Sequence, residues 1–150
     1  MLGPSAVPAE AEGAHMDTAA KVLILGGLGS LLYAFIMGFV LSRVRLKDPM
    51  AEQVRLTQVH IVALWEGFML LGLVWAVALS DLSSGLETTA ALLLVGAGVL
   101  QLTSNTLAWT QKLENLFAPP RGVVYALAAT NATLGVVGLL ILVIGALKGL

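Results

Sequence analysis

Four windows of this chain run past twenty residues almost without charge, and no other feature constrains the fold as tightly. Val22–Ser42, Thr88–Gln111 and Gly122–Leu147 contain no Asp, Glu, Lys or Arg, and His60–Ser80 contains one, Glu66. A helix crosses the hydrocarbon of a bilayer with about 20 apolar residues, and longer stretches span with some tilt. Backbone groups in lipid must be paired within the spanning structure, which leaves helices or closed barrels. The two-residue alternation of a barrel strand is absent from these windows, so helices are expected. The connections Arg43–Val59, Asp81–Glu87 and Lys112–Arg121 are too short for a second domain. The fold class expected is all-α: one four-helix transmembrane bundle over 21–150, with spans at about 22–42, 60–80, 88–111 and 122–147.

Composition narrows the function. Only 11% of the 150 residues are charged, where soluble domains carry roughly 25%, so a soluble enzyme is excluded. A net charge of −1 gives no basic footprint for nucleic acid. The absence of cysteine removes disulfide frameworks, thiolate metal sites, cysteine nucleophiles and covalent c-type haem attachment. Met1–Ala20, rich in Ala, Pro, Gly and Glu, reads as a disordered tail. It lacks the basic start of a signal peptide, and the apolar stretch after it is too long for one. Met16 offers a second start, and His15 is expected to take no part in function.

Basic residues set the expected orientation. Loop one holds Arg43, Arg45, Lys47 and Arg55 and loop three holds Lys112 and Arg121, against Lys21 and Lys148 on the other side. The positive-inside bias places loops one and three in the cytoplasm of a bacterial-type inner membrane and both termini outside.

Polar residues within the spans need a reason to be there. They gather in the half nearer loops one and three: His60 and Glu66 in the second span, Gln101, Thr103, Ser104, Asn105 and Trp109 in the third, and Tyr125, Thr130, Asn131 and Thr133 in the fourth. Glu66 lies roughly 9 Å deeper than His60. No Lys or Arg lies within a span to pair with it, so it is expected as a neutral acid bonded to Asn105, Gln101 or Asn131. Such a group serves as an interhelical tie, a proton donor or a substrate contact. Gln101, Asn105 and Trp109 follow at i, i+4, i+8 and are expected on one face. His60 and Glu66 point about 120° apart, so one can face the bundle interior and the other a seam between subunits or lipid. Ser30, Ala34 and Gly38 repeat every fourth residue as a close-packing face, and Gly96, Gly98, Gly135 and Gly138 suit tight contact or a flat ligand. Trp65, Trp109 and Tyr125 also fit an interfacial belt. Asn131-Ala132-Thr133 has the glycosylation pattern but lies inside a span.

The run from His60 through Ile-Val-Ala-Leu-Trp to Glu66-Gly67-Phe68-Met69 resembles a segment of styrene oxide isomerases and hydroxylaminobenzene mutases. There a His is followed six residues later by Asn, then Gly, then apolar residues rich in Met. Ser104-Asn105-Thr106-Leu107-Ala108 is similar to the third-helix segment of the mutases. The likeness extends loosely over Val22–Leu147, while the motif itself covers about a dozen positions. Glu66 departs from the pattern, standing where those families carry Asn. The acid and aromatic residues of the isomerase third helix have no clear counterpart; Gln101 and Trp109 occupy the nearest positions.

The resemblance implies a homo-oligomer, a trimer in the isomerases, with haem b held through His60 as axial ligand and ferric iron acting as Lewis acid. It implies Glu66 and Asn105 as a substrate-orienting pair. The reaction implied is a redox-neutral rearrangement of a small apolar aromatic, epoxide to aldehyde or aryl hydroxylamine to aminophenol. Three other readings compete. Small-multidrug-resistance transporters share four short spans and one intramembrane carboxylate, but theirs is in the first helix, which here is uncharged. A bis-His cytochrome b needs a second histidine at membrane depth, and only His60 qualifies. A non-catalytic membrane subunit is the third.

Overall fold

The computed structural model describes residues 17–48, 53–113, 115, 119 and 122–150. They form four helices in chain order: α1 Thr18–Lys47, α2 Val54–Ala78, α3 Ser84–Thr110 and α4 Val123–Gly149. All four are long and apolar enough to cross a membrane, and no strand occurs among the described residues. Their outward faces carry large apolar side chains such as Leu25, Phe35, Trp65 and Trp75. A surface this apolar suits lipid, where it needs no polar cover.

The helices outrun the uncharged windows at most ends, because the hydrogen-bonded ladder continues through the interfacial layer where charge is tolerated. The tail expected to end at Ala20 ends earlier. Asp17 caps α1 by accepting from the Ala19 amide at 2.9 Å, which satisfies one orphan donor of the first turn. Ala19 and Ala20 are already buried in the bundle. The rest of that tail, with His15 and Met16, lies outside the described residues, as does Arg121. Arg45 and Lys47 close α1 where cations complement the helix dipole. Glu87, expected in loop two, sits in the first turn of α3, where an acid is favoured for the converse reason. It is only 5% exposed. Lys112 takes the left-handed conformation, φ 52°. Its amide bonds the Trp109 carbonyl at 3.1 Å and the Leu113 amide bonds that of Ala108 at 2.9 Å, the doubled closure that ends many helices.

Helices α1 and α2 pack closely together, as do α3 and α4, and α3 joins the pairs by touching α1 and α2; α1 and α4 do not meet. The α1–α2 approach turns on two glycines. A Cβ on Gly27 would lie 3.0 Å from the Gly67 carbonyl oxygen, and one on Gly67 3.0 Å from that of Gly27. Backbones this close explain why small residues recur here, since in lipid helices associate through packing rather than hydrophobic exclusion. The expected face Ser30-Ala34-Gly38 does pack inward: Ser30 and Ala34 are buried, and Gly38 faces the His60 ring. At the far end, loop two folds onto α4, with the Asp81 amide donating to the Gly145 carbonyl at 3.2 Å.

Two apolar clusters stabilise the bundle. One, around Leu23, Leu70, Leu94 and Leu142, fills the half nearest loop two. The other, Met37, Leu41, Leu56 and Val59, lies at the end of loops one and three. His60, Glu66, Gly98, Gln101 and Asn105 occupy the level between them.

Candidate functional site

Glu66 points from α2 toward α3, where its carboxyl lies against Gly98. A Cβ at Gly98 would come within 2.9 Å of the Glu66 carboxyl carbon, so the missing side chain is what admits the acid. The half-buried carboxyl opens onto a cleft of about 640 Å³ between α2, α3 and α4. Gln101 and Asn131 stand on its α3 and α4 sides, and Val62, Trp65, Phe68 and Met69 form the α2 wall. Trp65 is 72% exposed and Phe68 60%, so the cleft opens sideways toward lipid. Pockets of this kind, apolar with a few convergent polar groups, are the usual form of small-molecule sites.

The expected bond from Glu66 to Asn105, Gln101 or Asn131 is not formed. The Asn131 side-chain amide donates to Gln101 Oε1 instead, so the two amides satisfy each other across α3 and α4. Among the described residues the Glu66 carboxyl has no hydrogen-bond partner, and it faces the cleft unpaired. Asn105 is buried, and its Nδ2 has no partner either. Such an orphan calls for a ligand or a water as its explanation. Seven residues on from Gly98, Asn105 lies on the same stripe of α3 but outside the cleft's lining.

Trp109 is not brought to this cleft. It packs against the Met37–Val59 cluster and lines a different cavity, with Arg55, Gln58 and Lys112. The expected common face of Gln101, Asn105 and Trp109 fans out because each four-residue step advances the helix by about 40°. Gln101 reaches α4, Asn105 is buried, and Trp109 reaches the α1–α2 cluster.

His60 occupies the other side of α2. Its Nδ1 lies 2.8 Å from the Ala34 carbonyl oxygen, and a carbonyl only accepts, so Nδ1 carries the proton. In the neutral ring Nε2 then holds the lone pair, the form an imidazole ligand to iron requires. A backbone carbonyl on the second nitrogen is also the usual support for a metal-binding histidine. The ring sits over Gly38, where a Cβ would lie 2.9 Å from Cε1. His60 is therefore a fit residue for axial ligation of haem, on a face of α2 different from that of Glu66.

Several polar residues in the polar half are occupied locally. Thr103 donates to Val99 O at 2.7 Å and Thr133 to Ala129 O at 3.1 Å. Ser104 donates to Val124 O at 3.1 Å, tying α3 to the start of α4. Tyr33 and Thr106 share a hydrogen bond between α1 and α3. What remains for chemistry is narrower than the sequence suggested: Glu66, the Gln101–Asn131 pair and the orphan amide of Asn105, with Gly98 as the seat that composition alone does not mark. The chain matches no protein-family model, no curated protein and no solved structure.

Proposed function

We propose that this chain is an integral membrane isomerase that rearranges a small apolar aromatic without net redox, an aryl epoxide to an aldehyde or an aryl hydroxylamine to an aminophenol. The observation that carries the reading is the Glu66 carboxyl, unpaired in a cleft walled by Trp65, Phe68 and Met69 and open to lipid. The walls suit an aromatic ring that partitions from the bilayer. Glu66 is placed to protonate the single oxygen such a substrate carries. The Gln101–Asn131 amides retain donor capacity to orient that oxygen. With an epoxide, proton transfer from Glu66 accompanies C–O cleavage, hydride moves to the benzylic carbon, and carbonyl formation returns the proton to Glu66. General acid catalysis of this kind contributes typically 10²–10⁴-fold.

The resemblance adds haem b on His60 and a homo-oligomer to the proposal. When bound, ferric haem supplies a Lewis acid for the substrate oxygen. His60, turned toward Ala34 and Gly38 of α1, is the residue that would hold the haem, on a face of α2 different from that of Glu66. An inner-membrane location with loops one and three in the cytoplasm belongs to the same reading.

The test is turnover by the purified full chain in lipid nanodiscs, offered an aryl epoxide and an aryl hydroxylamine. Isomer formation that is lost in Glu66→Gln supports the proposal. Inertness toward both substrates sinks it, and proton-coupled movement of an organic cation that needs Glu66 but not His60 would establish a transporter instead.

A further inference from the structure

The cavity that Trp109 lines does not belong to the cleft described above. It occupies about 620 Å³ at the end of the bundle that carries loops one and three. Arg55 and Lys112 bring two cations to it, Gln53 and Gln58 two amides, and Trp109 an indole wall. Among the described residues no acid lines it. One guanidinium nitrogen of Arg55 donates to Gln58 Oε1 at 3.1 Å, which fixes the amide and the cation relative to each other. The start of α2 faces the same space. Gln53 caps it without a side-chain hydrogen bond, and the first bond of the ladder runs from the Thr57 amide to Gln53 O at 2.8 Å. The first turn of α2 thus brings the positive end of its helix dipole to this side, an arrangement that favours anions. Lys112 reinforces it from the opposite wall, held at the helix-ending position where a glycine would sit without strain.

We infer that this cavity binds a phosphate-bearing anion, supplied by the headgroup of an anionic membrane phospholipid. Two cations, two side-chain amides and the positive end of α2 border this cavity, the groups from which phosphate oxygens accept hydrogen bonds. The cavity lies where two spanning helices end, at headgroup level, where basic pockets between helices take such lipids. From its wall along α2, Val54, Gln58, Ile61, Trp65 and Phe68 follow one another at helical spacing, all exposed on one stripe. Four of the five are apolar, so the stripe provides a path for the acyl chains of a lipid anchored by its phosphate. Free phosphate would use the polar groups alone, whereas a lipid also uses the exposed Val54 and Ile61 next to them.

Native mass spectrometry of the intact chain from detergent tests the inference with phosphatidylglycerol, phosphatidylcholine and inorganic phosphate. Phosphatidylglycerol should be retained and phosphatidylcholine, whose phosphate is offset by choline, should not. The double variant Arg55→Gln, Lys112→Gln should lower the retained fraction roughly tenfold or more. The charge-conserving Arg55→Lys, Lys112→Arg should keep most of it, and circular dichroism of both checks that the helices persist. Equal retention of the two lipids overturns the inference, as does unchanged phosphatidylglycerol binding in the helical double Gln variant. Displacement of the lipid by inorganic phosphate would assign the site to a soluble anion and remove the lipid from it.

Discussion

The Glu66 carboxyl rests on the backbone of Gly98, in a space that any larger residue would fill. This pairing of an acid on α2 with a glycine on α3 fixes where the acid points. Gly98→Ala should therefore act on the acid more than on the fold. The obstruction is the end of a flexible side chain, so the variant should stay folded. Its turnover of an aryl epoxide should fall by up to about 10²-fold, the size of effect expected when a reacting group is misplaced by an ångström. A Gly98→Ala protein as active as the parent would separate Glu66 from the reaction.

Replacing the acid itself should move stability and activity in opposite directions. An ionisable group within a span is disfavoured by about 2.5–3.5 kcal/mol on insertion scales at the helix centre, and among the described residues Glu66 has no hydrogen-bond partner to offset this. Glu66→Leu should raise resistance to unfolding in denaturing detergent by about 1–3 kcal/mol while abolishing turnover. A less stable Leu variant would mean that Glu66 ties the helices together.

Asn105 poses a similar question at a neutral group. A buried donor left unpaired costs about 1–3 kcal/mol, and Nδ2 of Asn105 is such a donor. Asn105→Leu should be neutral or stabilising for the ligand-free protein in thermal unfolding. If Asn105 orients substrate, KM should rise in the same variant. Marked destabilisation with unchanged kinetics would show that the amide serves packing alone.

The tautomer set by the Ala34 carbonyl makes His60 testable by colour. Protein purified with haem supplied should show a Soret band that disappears in His60→Ala. Gly38→Val should weaken it too, because its side chain would collide with the imidazole. A colourless parent protein that still isomerises substrate would remove haem from the proposal and leave the Glu66 chemistry standing.

At the α1–α2 crossing the expected effect is on assembly. Gly27→Val or Gly67→Val forces two backbones apart, against an overpacking cost of about 1–3 kcal/mol in ordinary cores. Unfolding in denaturing detergent should come at the upper end of that range or beyond. Gly72→Val, at an open position, is the matched control and should change little.

The spans were readable because charge is excluded from hydrocarbon, and Glu66 stood out for the same reason. The helix ends were less readable. The ladder that begins at Thr18, six residues before the expected second span at Val54, and at Ser84 continues through layers where polar residues carry no penalty. The Gln101–Asn131 pair depends on how α3 and α4 are rotated against each other, and a one-dimensional pattern does not record rotation. Spacing alone puts Trp109 on the face of Asn105, yet the drift of about 40° per four residues carries it to another cavity. The seat at Gly98 was visible only as a small residue, one of several with the same appearance.

The threonines that return their hydroxyl protons to their own helix have a consequence for the lipid around them. Thr103 and Thr133 are both exposed, and with the donor spent on a carbonyl one turn back each offers the acyl chains little more than a methyl group and a shielded oxygen. To a neighbouring lipid they are close to valine in shape and in polarity. Thr103→Val and Thr133→Val should pass almost unnoticed, and the hydrocarbon around this bundle meets a smoother, oilier surface than its letters spell.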